Sequence, residues 1–197
     1  MALDLIGHLK KFQNVSDRET SDAYFLTHVP TVGSGAFLNI VYKAAPTLIR
    51  EKIGQELRLP PTMVEFFGAW NGARLFVSAL SIYGCIPEGQ LLDRTDPTQL
   101  LPFNIREVNQ EFHRQLRDRE AVCVGSYSYD RSIVCVDRRS QVVTCHAGKD
   151  FGRIRQEWTS LDQWLTDELA RLSLLFDERG NRLVAKDRLL PSREVLN

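Results

Sequence analysis

The sequence predicts an α+β fold, an antiparallel strand meander with amphipathic helices packed against it. Three observations predict it. Residues 59–72 read as a buried helix, with Met63, Phe66, Phe67 and Trp70 recurring at three- and four-residue steps. That helix runs straight into the apolar stretch 75–83, which reads as strand, broken into a pair around 75–77 and 80–83. Residues 121–125, 132–137 and 141–146 are short β-rich segments separated by turn-forming residues, so a meander is the economical arrangement.

Within the central helix, Pro60 and Pro61 suit the first turn, where a missing N–H has no intrahelical partner to lose. Asn71 and Gly72 are expected to close it, since both tolerate the left-handed conformation of a helix C-terminus. Upstream, residues 3–12 carry an apolar stripe through Leu3, Leu5, Ile6, Leu9 and Phe12 and read as a helix. Residues 14–22 are polar and read as a loop. Residues 23–29 and 36–42 read as strands or irregular packing segments around Pro30 and the Gly33-Ser34-Gly35 turn. That glycine pair lacks the Lys-Ser/Thr of a phosphate-binding loop and the third glycine of a dinucleotide fingerprint, so it reads as a plain turn. Residues 47–57 are helical, with Pro46 at the first turn.

Residues 87–104 hold Gly89, Asp93, Asp96-Pro97 and Pro102, the longest turn-rich stretch and the expected place for variable contacts. Ile105, Val108, Phe112 and Leu116 then form a helical stripe whose flanking charges cancel, which describes a solvated face better than a polyanion groove. Ser160 and Gln163 make a capping box ahead of Leu161, Trp164, Leu165, Leu169, Leu172 and Phe176, a long amphipathic helix. Gly180-Asn181 ends that pattern, and residues 182–197 read as an arm and loose tail.

Composition excludes some function classes. Lys plus Arg and Asp plus Glu are 25 each over 197 residues, so the chain has no net electrostatic footprint for nucleic acid or an acidic membrane. No apolar stretch approaches the roughly 18 residues needed to span a bilayer, and residues 1–12 make a poor signal peptide, so a cytoplasmic location is expected. Cys123 and Cys135 each lie between valines, as reduced core cysteines do, and Cys85, Cys123, Cys135 and Cys145 lack the spacing of a zinc site. No metal or cofactor is expected. His8, His28, His113 and His146 lie in no nucleophile motif, and Gly-x-Ser-x-Gly is absent. A triad joining Cys145 to His28 or His113 would have to assemble in space. No catalytic residues are assigned.

One loop stands out. Ser126-Tyr127-Ser128-Tyr129-Asp130-Arg131 places paired tyrosines beside an acid, and Tyr offers large contact area at low entropic cost. Tyr127, Tyr129 and Asp130 are the candidate partner-binding residues. The same loop also reads as a rigid connection whose rings cover the sheet edge.

The order of motifs resembles the SUKH superfamily, which includes a yeast cell-wall assembly regulator and many bacterial immunity proteins. It rests on a Leu-Pro helix ending Asn71-Gly72, Ile82-Tyr83-Gly84, Asn109 on a helix, Val124-Gly125-Ser126, residues 133–137, Val142-Val143 and a Ser-Leu-x-x-Trp-Leu helix. It covers residues 46–176, leaving 1–45 as an N-terminal extension packed on the domain and 177–197 as a C-terminal arm. The resemblance implies a bent antiparallel sheet with helices mainly on one side. It also implies a binding protein without catalytic motif, and Leu59, Pro60, Asn71, Gly72, Gly125, Asp137 and Ser160 as caps, turns and packing.

Three functions are consistent with these readings. The first is an immunity-type protein that neutralises one cognate toxin, polymorphic or contact-dependent, by direct binding. Zero net charge weighs against a strongly basic nuclease as that toxin. The second is a regulatory or scaffold module in host signalling or cell-envelope assembly. The third is an enzyme or small-molecule sensor with Tyr127, Tyr129 and Asp130 at the rim of its pocket.

Overall fold

The strands pair in the order in which the chain makes them. In a computed structural model, which describes residues 3–29, 36–89, 101–115, 120–148 and 150–191, nine strands form one open antiparallel sheet ordered β1 to β9. They are β1 (Arg18–Glu19), β2 (Ala23–His28), β3 (Phe37–Lys43), β4 (Trp70–Leu75), β5 (Leu80–Ile82), β6 (Ala121–Tyr127), β7 (Ser132–Asp137), β8 (Val143–Ala147) and β9 (Asp150–Trp158). The helices are α1 (Leu5–His8), α2 (Thr47–Leu57), α3 (Pro61–Ala69), α4 (Ile105–Gln115) and α5 (Leu161–Ser173). The expected α+β class and antiparallel sheet are present. The stretch 1–45, read as an N-terminal extension, supplies β1, β2 and β3 to this same sheet, and β3 pairs directly with β4.

Residues 76–79, read within a strand, form the turn between β4 and β5, residues 18–19, read as loop, form β1, and α1 covers only Leu5–His8 of the helix expected over 3–12. Two further elements differ from the sequence reading. The expected cap at Asn71-Gly72 is not one: α3 ends at Ala69, and Trp70, Asn71 and Gly72 already belong to β4. The left-handed tolerance of Gly72 is nonetheless used, at φ +88, because a Cβ there would lie 2.6 Å from the Ile82 carbonyl oxygen. Trp70 is half-buried, and its indole N–H donates to the Leu3 carbonyl at 2.8 Å, tying the N-terminal segment down. The second difference is β9, which carries too few apolar residues to signal a strand. It is an edge strand, and its charges at Asp150, Arg153, Arg155 and Glu157 with bulges in its pairing to β8 are the usual protection of such an edge. The Gly33-Ser34-Gly35 turn, most of the turn-rich stretch (90–100) and residues 192–197 lie outside the described residues.

One contiguous core joins the sheet to the helices. Gly54 on α2 lets α3 approach, its missing Cβ position lying 3.0 Å from Val64, and Met63, Phe66 and Phe67 bury against the sheet. On α5, Trp164 and Leu165 are fully buried, and Trp164 fills the space that Gly125 leaves on β6. A smaller, separate cluster of Ala23, Phe25, Ile40 and Tyr42 sits on β2 and β3, with the Arg18 guanidinium 4.5 Å above the Phe25 ring.

Asparagines finish the ladder where strands run out. β5 stops at Ile82, leaving the outer edge of β6 without a strand partner at Cys123. Buried Asn109 on α4 replaces it, accepting the Cys123 N–H and donating to the Cys123 carbonyl, each at 2.8 Å, with a further bond to the Ile105 carbonyl. Asn71 does the same for Cys85, accepting its N–H at 2.6 Å and donating to its carbonyl at 2.9 Å. Side-chain amides thus satisfy backbone groups that burial would otherwise orphan. Asn109→Ala is expected to destabilise the protein by roughly 2–4 kcal/mol, because it strands both Cys123 groups in the core. Urea unfolding at neutral pH measures this, and a loss under about 1 kcal/mol would contradict it.

Candidate functional site

The site is built from one strained turn and the segments packed around it. Between β4 and β5, Phe76, Val77 and Ser78 take φ of +54°, +55° and +60°, three consecutive left-handed residues with no glycine among them. Such backbone is costly for any L-residue, most of all β-branched Val, and persists only where its surroundings over-determine it. Here they do. Phe76 N–H donates to the Asn39 carboxamide oxygen at 3.0 Å, Val77 N–H to the Leu38 carbonyl at 2.8 Å, and Ala79 N–H to the Phe76 carbonyl at 3.0 Å. The Phe76 ring is wedged edge-on to Phe12 at 5.6 Å and against Phe176 at 5.3 Å.

A cleft of about 760 Å³ opens over this turn. Val29, Phe76, Phe176 and Leu189 give it apolar walls, and Ser128, Tyr129, Arg182 and Lys186 also line it. A neighbouring polar hollow of about 570 Å³ shares Val29 and Asn181 with it and is bordered by Thr27, itself left-handed at φ +57.

The three sequence-predicted residues fall in different places. Tyr129 is 49% exposed at the tip of the β6–β7 turn and borders the cleft. Asp130 faces inward. Its Oδ1 accepts from Ser132 N–H at 2.9 Å and Ser132 Oγ at 2.6 Å, while Oδ2 pairs with Arg155 at 2.5 Å. It is a clamp that fixes the turn displaying Tyr129. Tyr127 offers a partner no surface at all: it is the last residue of β6, with its side chain fully buried. The sequence reading started the loop at Ser126, whereas the strand continues through Tyr127, and strand alternation turns that ring into the core beneath α5.

Tyr127 belongs to a buried polar network that the sequence did not signal. Its hydroxyl donates to Glu168 Oε2 at 2.7 Å, and the Trp164 indole N–H reaches the same hydroxyl at 3.4 Å. Glu168, 2% exposed on α5, holds Arg171 with both oxygens, at 2.9 Å and 2.6 Å. Arg171 in turn donates to the carbonyls of Arg188 at 3.1 Å and Leu189 at 2.8 Å. A Glu and an Arg three apart on a helix usually mark a solvated face, and only burial distinguishes this pair.

Among the described residues, no group of three or more His, Cys, Asp or Glu is placed to hold a metal ion. All four cysteines are free and buried. Burial pushes the Cys85 and Cys145 thiols up to about 12, away from nucleophilic thiolate. Between Thr144 Oγ1 at 2.9 Å and the Phe151 carbonyl at 2.7 Å, both ring nitrogens of His146 are engaged. No described helix is long and apolar enough to cross a membrane. Compared with protein-family models and with curated proteins, the chain gives no match.

Two outcomes follow from the network and its neighbours. Glu168→Gln should cost about 3–5 kcal/mol, because Arg171 is left charged and half-satisfied in the interior; a calorimetric scan with little change in Tm would contradict this. Burial raises Tyr42 to about 12 and, with the Glu168 carboxylate beside it, Tyr127 well above its usual 10.0, while the thiols start from 9.0. The folded state therefore holds these protons more tightly than the unfolded chain. Their contribution is complete below about pH 9 and is lost as pH climbs through 9 to 12. Urea midpoints should fall progressively over that range, and a flat profile to pH 11 would refute the assignment.

Proposed function

We propose that the chain is a non-enzymatic protein-binding module of the immunity type, which binds and neutralises a cognate toxin through the end of the sheet that carries Tyr129 and the cleft. The observation that carries the binding reading is the presentation of Tyr129. An aromatic ring half-exposed on a turn held by Asp130, Ser132 and Arg155 is a pre-organised anchor, which loses little freedom when a partner covers it. The cleft beside it supplies the concave, apolar complement that a partner side chain fills. The three left-handed residues beneath support the same reading, since backbone strain collects at working surfaces. The toxin as partner class rests on the resemblance of the motif order to that of immunity-type SUKH proteins.

The test is capture of partners from the native organism's lysate, followed by titration of the best candidate. A toxin bound at one-to-one stoichiometry with its activity lost would support the reading; several weakly held host proteins would replace it with a regulatory role. Tyr129→Ala should weaken that complex by about 2 kcal/mol, roughly 30-fold, and leave Tm unchanged. Unaltered affinity would remove Tyr129 from the interface.

A further inference from the structure

We propose that the cleft takes an acidic segment of the polypeptide partner, seating one apolar side chain between its walls with a carboxylate on either flank held by Arg182 and Lys186. The inference rests on the protein-binding reading and specifies what the partner presents.

The first argument is charge. The described residues lining the cleft include two cations, Arg182 and Lys186, and no acid. Both cations are exposed, and neither enters an ion pair among the described residues. Two of the nearby acids are occupied, while Glu178, in the adjoining hollow, and Asp187, beside Lys186, are exposed and do not line the cleft. Asp177 accepts from the backbone N–H groups of Arg179 and Asn181 and from the Asn181 side chain, which holds its carboxyl below the usual range, and Asp130 is held by Arg155. Arg182 donates its Nε to the Val184 carbonyl at 2.8 Å, which orients the guanidinium while leaving its terminal amino groups for a carboxylate.

The second argument is shape. The cations sit on the arm that follows α5, and this arm is fixed. Phe176 pairs with Arg182 in a single antiparallel bridge, Leu183 N–H donates to the Leu175 carbonyl at 2.9 Å, and Arg171 holds the Arg188 and Leu189 carbonyls. Gly180 at φ +79 packs so close to Val29 that a Cβ would come within 2.7 Å of its methyl group, so the arm lies directly against the chain that follows β2. A cleft of about 760 Å³ holds a few residues of extended chain. Ser128, Tyr129 and Asn181 along it offer hydrogen bonds that peptide amides match and an alkyl chain would leave unmet. These features favour an acidic peptide over a free amphiphilic acid.

The test uses the full chain and two fluorescein-labelled peptides in anisotropy titrations, one of sequence Asp-Phe-Asp-Leu-Asp-Phe and the other with Asn at each Asp. The expected result is that the acidic peptide binds at least about 10-fold tighter, and that this preference shrinks as salt rises from roughly 50 to 500 mM. The double variant Arg182→Glu with Lys186→Glu should erase the preference while its circular dichroism melt stays unchanged, both side chains being exposed. If that variant fails to fold, the salt dependence on the unaltered chain decides alone. Equal affinity for the two peptides, no binding of either below roughly 1 mM, or a preference that survives charge reversal in a folded variant would overturn the proposal. Decanoate displacing the acidic peptide would be expected of a shared site; decanoate binding where neither peptide binds would show a site for free acids and also overturn it. Should Tyr129→Ala abolish partner capture while the peptides bind alike, only this inference fails. Should the peptides discriminate while Tyr129→Ala leaves capture untouched, the cleft stands and the Tyr129 interface falls.

Discussion

The carboxylate of Glu168 holds together the parts that make this molecule more than a sheet with helices on it. Buried on α5, it is met by the Tyr127 hydroxyl from β6 and by both arms of the Arg171 guanidinium, whose remaining donors fasten the C-terminal arm through the Arg188 and Leu189 carbonyls. A buried ion pair gains little over an apolar pair of the same size, because desolvation offsets most of the attraction. What it gains is position. One charge, with every partner fixed by hydrogen-bond geometry, sets the end of β6, the face of α5 and the path of the arm relative to one another.

The turn that follows β6 and the arm that follows α5 both line the cleft. The β6–β7 turn leaves β6 directly after Tyr127, and Asp130 closes it with the Tyr129 ring exposed. The arm arrives from α5 and brings Arg182 and Lys186 to the cleft. Between them lies the left-handed turn at Phe76, Val77 and Ser78, held by β3 through Asn39 and Leu38. The strained turn, the displayed ring and the charged arm are each held by hydrogen bonds, and a partner meeting them would find a surface that needs little reordering.

Much of this was legible in the sequence and some was not, for identifiable reasons. Helical periodicity located α2, α4 and α5 closely, because Ile53, Phe112 and Leu169 each bury one face of an amphipathic helix. Valine-rich alternation located β7, with its neighbours β6 and β8. By contrast β9 was invisible, since an edge strand facing solvent needs no apolar alternation, and β1, at two residues, leaves no pattern to find. Tyr127 and Tyr129 look alike in the chain, yet a strand two residues longer than expected sends one into the core and the other to solvent. Asp130 signalled a polar loop, but whether it faces a partner or its own turn depends on Arg155, far along the chain on β9. The Glu168–Arg171 pair had the spacing of an ordinary surface salt bridge, and the arm that buries it lies beyond any local pattern.

The most direct measurement is hydrogen–deuterium exchange of the full chain with and without its captured partner. The account predicts slowed exchange confined to the turn at 76–79, the β6–β7 turn at 128–131 and the arm at 176–189, with β9 unaffected. Protection along β9, or over α2 and α3, with those three segments unchanged would place the interface elsewhere and contradict it.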